Sequence, residues 1–387
     1  MKIAVVHNGN HAGILARFGR PCPERYSLRH VNLVADSLRS VGHTVEVLEA
    51  DVRLFEQLRT FATTGGPLFT SLSTEQGGTE SAPSAFDHLP TAMVFNMAYG
   101  IQGDARYTHL PGMLELAGIP YTGSSPLGHA LALDKVITKI LMLDAGVPTP
   151  AYRVLGDVHN PQAATAGTVG LSYPLIVKPR HESTSYGLRL VHDQTELDAA
   201  VAAIVQTYQQ TALVEEYIDG REVCIGILGN DPVEFLPPVE LDFGDRSLRL
   251  MTWDDKYHKR MDEPRKVCPA PLSSDAIQQL NQLALATFRA CHLRDYARVD
   301  IRIDPLGRPF VLEVNSMASL GDGGSYVTAA KAAGYTFALL ANRIVEVAYQ
   351  RHVDMAMRTP APAKPPVTPV VDLSAAAIVP GTPVTAA

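Results

Sequence analysis

The segment from Tyr296 to Asn315 constrains the chain more than any other. Two polar clusters, Arg298-Val299-Asp300 and Glu313-Val314-Asn315, enclose Ile301-Arg302-Ile303-Asp304, the turn Pro305-Leu306-Gly307-Arg308-Pro309 and Phe310-Val311-Leu312. Alternating apolar residues on either side of a Pro/Gly turn predict a β-hairpin. Pairing brings Asp300 near Glu313, and Glu313 and Asn315, two apart, leave one face of their strand. Two carboxylates and an amide make an all-oxygen donor set of the kind magnesium takes, which completes its shell with water and phosphate oxygens. Solvated acids on a sheet face would have the same pattern, so the rest of the chain has to discriminate.

With 387 residues, 46% hydrophobic and 19% charged, the chain can form two or three domains around sizeable cores. A net charge of -7 and the lack of a lysine and arginine block argue against nucleic acid as a partner. Cys22, Cys224, Cys268 and Cys291 lie far apart without CxxC spacing, which suggests neither a zinc site nor a disulfide framework. No apolar run approaches the roughly 18 residues needed to span a bilayer, and a strand follows the N-terminus directly. A cytoplasmic protein without membrane association is expected.

In chain order, Lys2 to Val6 reads as a strand. Ser27 to Val41 reads as a helix with Leu28, Val31, Val34, Leu38 and Val41 at helical spacing, ended by Gly42, and Thr44 to Leu48 as the next strand. This is a β-α-β unit of a parallel sheet. The long loop from His7 to Tyr26 lies where such sheets often receive ligands. Residues 60–90, dense in Thr, Ser, Gly and Pro, are expected to be flexible. Ala92 to Asn96 resumes the sheet and Pro111 to Ala117 is a helix. Leu131 to Ala145 is expected to form one helix on which Lys135 and Lys139 share a face, ordinarily a solvated one.

Lys178 ends the apolar strand Leu175-Ile176-Val177, so its charge needs an anionic partner. The loop from Arg180 to Gly187 is rich in hydroxyls and of a kind that can fold over phosphates. Ala212 to Glu222 is a strand running into an acidic turn, followed by the strand Val223 to Leu228. That pattern fits a surface hairpin, and it also fits an edge holding adenine and ribose. Residues 251–269 suggest a mobile lid bearing cations, Ser274 to Ala290 an amphipathic helix and Gly334 to Gln350 a final helix. The tail 351–387 is expected to be disordered.

Taken together these segments resemble the ATP-grasp superfamily and, within it, the D-alanine–D-alanine ligase family, over nearly all of residues 1–350. The resemblance rests on Ile119-Pro120-Tyr121-Thr122-Gly123-Ser124, Leu133-Asp134-Lys135 with Lys139, Ile176-Val177-Lys178-Pro179, Val214-Glu215-Glu216-Tyr217, Gly220-Arg221-Glu222, Lys256-Tyr257, Cys268-Pro269-Ala270, Arg298-Val299-Asp300 and Glu313-Val314-Asn315. It implies a three-domain ATP-grasp fold, mixed α/β and α+β, with an N-terminal Rossmann-like domain at 1–130, a central subdomain at 131–212 and a C-terminal subdomain at 213–350. It also implies ATP and two Mg²⁺ ions, with Mn²⁺ as the alternative, and a homodimer.

By the same resemblance, Lys135 and Lys178 contact phosphates under the loop carrying Glu182, Ser183, Thr184 and Ser185. Glu215, Glu216, Ile218 and Glu222 hold adenine and ribose, and Asp300, Glu313 and Asn315 carry the metal. Lys256 and Tyr257 are catalytic lid residues, with Lys256 reaching the γ-phosphate, and Arg298 stabilises the oxyanion of a tetrahedral intermediate, a structural salt bridge being its alternative. The implied reaction joins a carboxylate to an amine through an acyl phosphate. D-alanine–D-alanine ligation itself is the close alternative, and an ATP-grasp kinase or a non-catalytic nucleotide-binding protein is the alternative from another class.

The chain departs from the family at its substrates. Asn315 is followed by Ser316-Met317-Ala318-Ser319 in place of a proline-glycine-methionine segment. The family serine that holds the acceptor carboxylate falls on Gly324 without a gap and on Ser325 with one inserted residue. Asp322 adds a negative charge that favours an amine or a larger polar acceptor. Arg106 replaces an acid and suits a carboxylate or phosphate, or is a surface arginine. Glu24 resembles the glutamate that meets the first substrate's amine.

Overall fold

The computed structural model describes residues 1–9, 17–18, 21–22, 24–63, 91–159, 170–253, 255 and 264–358. Three sheets organise them. The first is parallel, in the order β2-β1-β3, from β1 (Lys2–His7), β2 (Thr44–Glu49) and β3 (Ala92–Met97). Ile3, Ala4, Val5 and Val6 are all fully buried, because helices cover both faces. Ile3 and Val5 pack with α1 (Leu28–Arg39), while Ala4 and Val6 pack with α2 (Leu54–Thr63) and α3 (His109–Leu116). The predicted β-α-β unit is thus present. Ser27 caps α1, Val31, Val34 and Leu38 form its buried stripe, and Gly42 turns the chain at φ +92°. Part of the expected flexible excursion is helical, since α2 continues through Thr63, and 64–90 lie outside the described residues.

The single helix expected over 131–145 is two. Asp134 ends α4 (Pro126–Leu133) with extended backbone, ψ 97°, and its carboxylate accepts from the amides of Val136 and Ile137, capping α5 (Lys135–Asp144). A side chain that satisfies the first amides of a new helix competes with continuing the old one.

The second sheet is antiparallel, β4-β7-β5-β6, from β4 (Tyr152–Leu155), β5 (Leu175–Pro179), β6 (Arg189–Val191) and β7 (Ala212–Glu216). Helix α6 (Gln194–Tyr208) covers one face. The third sheet runs β11-β10-β8-β12-β13, with β9 (Val233–Phe235) beside β8. Its other strands are β8 (Arg221–Gly229), β10 (Val239–Asp242), β11 (Arg265–Val267), β12 (Tyr296–Ile303) and β13 (Pro309–Asn315).

Strands β7 and β8 therefore belong to different sheets, and the acidic hairpin expected across 212–228 does not form. A boundary at 213 would separate β7 from its sheet. Part of the expected lid is also regular structure, because β11 pairs with β10 at the sheet edge.

On the third sheet, Val223, Ile225, Ile227, Val299 and Ile301 pack against α7 (Ser274–Ala290). The alternate residues Glu222, Cys224, Arg298, Asp300 and Arg302 face a cavity on the other side. The predicted helix at 334–350 is α9 (Phe337–Arg358), which runs past the expected boundary at 351. Arg351 pairs with the fully buried Asp295 at 2.8 Å and donates to the Tyr121 carbonyl, so it belongs to the folded body. No described helix is long and apolar enough to cross a membrane.

Candidate active site

The cavity, about 660 Å³, is lined by both antiparallel sheets and by residues of the first unit, including Glu24, Tyr26, Tyr99 and Tyr107. Across the hairpin Asp300 lies opposite Glu313, and Arg298 opposite Asn315. A β-bulge makes this possible. Ile301 pairs with Val311 while Asp300 pairs with Glu313, which leaves Leu312 as the extra residue. Strict alternation from the buried Val311 would turn Glu313 toward α7. The bulge reverses the parity, so Val314 enters the core while Glu313 and Asn315 face the cavity.

Around this platform the Asn315 amide donates to Asp300 at 3.0 Å and to Glu313 at 3.5 Å. Arg298 grips Asp300 with Nε at 2.6 Å and a terminal nitrogen at 2.7 Å. Burial alone would lower the guanidinium's pKa, but its acidic neighbours, Asp300 foremost with Cys224 and Glu313, together outweigh burial and hold it above the ordinary value. Among the described residues no group of three or more His, Cys, Asp and Glu is gathered. The donor set is two carboxylate side chains and one amide, hard oxygens that fit magnesium when phosphate or water supplies the remaining ligands.

A second charged group lies on the other sheet. Lys178 reaches Glu215 Oε1 at 2.5 Å, and Lys139, fully buried, lies 2.9 Å from Oε2 and donates to Thr149 at 2.6 Å. The anionic partner expected for Lys178 is thus Glu215. Burial alone would raise the Glu215 pKa, but Lys139 and Lys178 hold it down to about 2. Burial opposes the charge of Lys178 as well, and the carboxylates around it, Glu215 foremost with Glu313 and Glu222, together outweigh burial and raise that pKa. Glu215, expected at adenine or ribose, lines the cavity and has its carboxylate paired with two lysines. Lys135 and Lys139 are not on a solvated face: both are buried, and burial lowers both pKa values. Lys135 lines the cavity and donates to the Glu182 carbonyl, and the charge of Glu313 acts on both Lys135 and Lys178.

The expected phosphate loop lines the cavity with Glu182, Ser183, Thr184 and Ser185, and Thr184 and Ser185 have φ of 54° and 60°. Such left-handed backbone carries strain that the loop's anchors must offset. The Ser183 hydroxyl donates to Glu24, which also accepts from Tyr107 at 2.6 Å, and Ser185 donates to the Met251 carbonyl at 2.7 Å.

Arg106 is neither a surface arginine nor a lining residue. It is 3% exposed and donates to the His181 carbonyl at 2.8 Å and to Ser183 at 3.3 Å, with Glu182 at 3.5 Å. Its task is to hold the loop from beneath, since desolvation makes an unpaired guanidinium unfavourable there. The Glu182 carboxylate is likewise engaged, accepting from Gln210 at 2.9 Å.

Glu216, Ile218 and Glu222 line the cavity. So do Gly324, which precedes α8 (Ser325–Ala332), and Ser325, its first residue. Asp322 also lines the cavity, is exposed and pairs with Lys331 at 3.2 Å. Lys256 and Tyr257 lie outside the described residues. Residues not anticipated at the cavity include Arg302, Tyr26 and Tyr99. An arginine in an otherwise apolar Ile-Arg-Ile strand was the signal available for Arg302.

The family described as D-ala D-ala ligase C-terminus matches residues 141–346. The uncharacterised protein y4sG of Sinorhizobium fredii is 45% identical over 356 residues, 91% of this chain and 98% of its own length. The D-alanine–D-alanine ligase of Alkalilimnicola ehrlichii is 38% identical over 240 residues, 61% of this chain and 72% of its own length. The crystal structure of D-alanine–D-alanine ligase from Bacillus anthracis complexed with ATP shares the fold, with a TM-score of 0.65 at 20% identity, covering 92% of this chain and 99% of that one.

Proposed function

Because this chain belongs to the D-alanine–D-alanine ligase family of the ATP-grasp superfamily, we propose that it is an ATP-dependent, ADP-forming ligase that joins an amino acid or related carboxylate to an amine through an acyl phosphate. The observation that carries this reading is one cavity lined at once by Lys135 and Lys178 and by Arg298, Asp300, Glu313 and Asn315.

Phosphoryl transfer calls for charge neutralisation and alignment more than for a covalent protein nucleophile. In this reading Lys135 and Lys178 neutralise phosphate oxygens, with the 182–185 loop over them. Glu222 and the backbone of 216–218 hold ribose and base. Glu215 serves the site indirectly, by keeping Lys178 charged and in place. Asp300, Glu313 and Asn315 would hold magnesium, which when bound neutralises charge on the transferring group. Lys256 and Tyr257 take their places on motif grounds, Lys256 at the γ-phosphate. The substrate carboxylate attacks the γ-phosphorus, ADP leaves, and the amine attacks the acyl phosphate to release phosphate. Arg298 is assigned the oxyanion of that second step. The Ser185 bond to Met251 ties the loop to the residue at which the expected lid begins, and covering of the site would protect an intermediate that water hydrolyses.

Dialanine synthesis is the second reading, favoured by Glu24 at the cavity wall within reach of Ser183 and Tyr107. It is opposed by the divergent segment after Asn315. A panel of amino acids, singly and in pairs, scored for ADP release and product mass, tests both. ADP release only with D-alanine, giving dialanine, would establish the second reading over the first. Phosphate recovered on a hydroxyl product would make the protein a kinase and sink the ligase reading.

A further inference from the structure

Arg302 is the largest of the essentially fully buried side chains among the described residues, 2% exposed, and nothing in the proposed chemistry uses it. It shares the cavity face of β12 with Arg298 and Asp300, and it stands directly opposite Glu222 across the β8–β12 pair. Its Nε and one terminal nitrogen converge on Glu222 Oε2 at 3.2 and 2.8 Å. The other terminal nitrogen donates to the Ile218 carbonyl at 2.9 Å, and the Arg249 carbonyl completes the set. The planar group lies 5.0 Å from the Tyr217 ring centroid and 5.9 Å from that of Phe243. One side chain, two residues along from Asp300, therefore binds together the 217–222 segment.

A buried ion pair is weak evidence of a stabilising role, because well-packed apolar residues often replace one at no loss. A guanidinium fork is, however, a rigid device for fixing the direction of a carboxylate. An ionised carboxylate can only accept hydrogen bonds, and the vicinal hydroxyls of ribose are matched donors. We infer that Arg302 is a positioning residue that aims the Glu222 carboxylate at the ribose hydroxyls and thereby sets a preference for ribonucleotides over deoxyribonucleotides. This rests on the nucleotide reading above.

The test is calorimetric binding of ADP, 2′-deoxyADP and 3′-deoxyADP, in excess magnesium, to the wild-type protein and to Arg302→Lys and Arg302→Met. Nucleotide binding needs neither unidentified substrate. The wild type is expected to prefer ADP to at least one deoxy analogue on the order of tenfold, the scale of one hydrogen bond to a charged group. Arg302→Lys keeps the cation and removes the fork, and it should reduce that preference to about twofold or less. Arg302→Met should do the same, and its thermal unfolding reports any separate loss of stability.

If the wild type binds no ADP, the nucleotide reading itself fails. If it binds all three nucleotides equally, or if folded Arg302→Lys retains the full preference, the inference about Arg302 is overturned while nucleotide binding stands.

Discussion

The guanidinium of Arg298 holds both oxygens of Asp300 from two residues back on the same strand, with contacts of 2.6 and 2.7 Å. The carboxylate that fits a magnesium ion thus also sets the direction in which the guanidinium points. Arg298→Lys keeps a positive charge but cannot reproduce the two-pronged geometry. It is expected to lower kcat by about 10²- to 10³-fold, the scale of a lost oxyanion donor, while ADP binds within a few-fold of wild type. Steady-state kinetics with the cognate substrate pair, alongside ADP titration, separates the two effects. An unchanged kcat would return Arg298 to a structural salt bridge.

Asp300→Asn and Glu313→Gln each remove one of the two carboxylates from the platform and leave the backbone pairing of β12 and β13 intact. Turnover should be abolished in both; the thermal unfolding midpoint should stay close to that of the wild type in Glu313→Gln and fall in Asp300→Asn, which leaves the Arg298 guanidinium without its carboxylate. The magnesium concentration giving half-maximal rate is the further readout for any residual activity. Wild-type rates in either variant would remove the metal assignment.

Glu215 carries the charge balance of the other sheet. Replacing it with Gln leaves Lys139, fully buried, and Lys178 without their carboxylate, and a loss of about 3–5 kcal/mol is expected at neutral pH. Its pKa lies at about 2 in the folded protein against an ordinary 4.5. A depressed carboxyl contributes stability that is complete above the ordinary value and is lost as pH falls through the folded value. The gap in unfolding free energy between wild type and Glu215→Gln should therefore be widest at neutral pH and narrow as pH falls from about 4.5 toward about 2. Denaturant titrations at several pH values measure it, and a gap independent of pH would contradict the pairing.

Arg351→Leu tests whether the end of α9 belongs to the fold. Asp295 is fully buried, accepts from the Gly123 amide at 2.8 Å and is bonded by Arg351 at 2.8 and 2.9 Å. Leaving that carboxylate without its cation should destabilise the protein by about 3–5 kcal/mol. Denaturant unfolding gives the number, and a change below about 0.5 kcal/mol, the range of an ordinary surface substitution, would show the helix end to be dispensable.

Much of the fold was legible because apolar periodicity survives in each element. The buried run Ile3 to Val6, the stripe of Val31, Val34 and Leu38, and the alternation of Val299 and Ile301 all announce which face is covered. The helix break at Asp134 was harder to see, since the same residue reads either as an interior helix position or as a cap. Arg106 was misplaced because an arginine's environment depends on distant partners, here the carbonyl of His181 and the side chains of Glu182 and Ser183.

By itself the sequence determined the chemistry on offer: two carboxylates and an amide near a turn, a lysine ending an apolar strand, and a hydroxyl-rich loop. Only the tertiary structure decided what meets what. The bulge at Leu312 turns Glu313 and Asn315 into the cavity, against the alternation that starts at Val311. The assignment of β7 and β8 to different sheets gives Glu215 to the lysines and Glu222 to Arg302. The physical reason is that strand parity and charge pairing depend on register and on partners far along the chain. Local propensity fixes which elements form, whereas backbone hydrogen bonding between strands and the desolvation of buried charges select how they are joined.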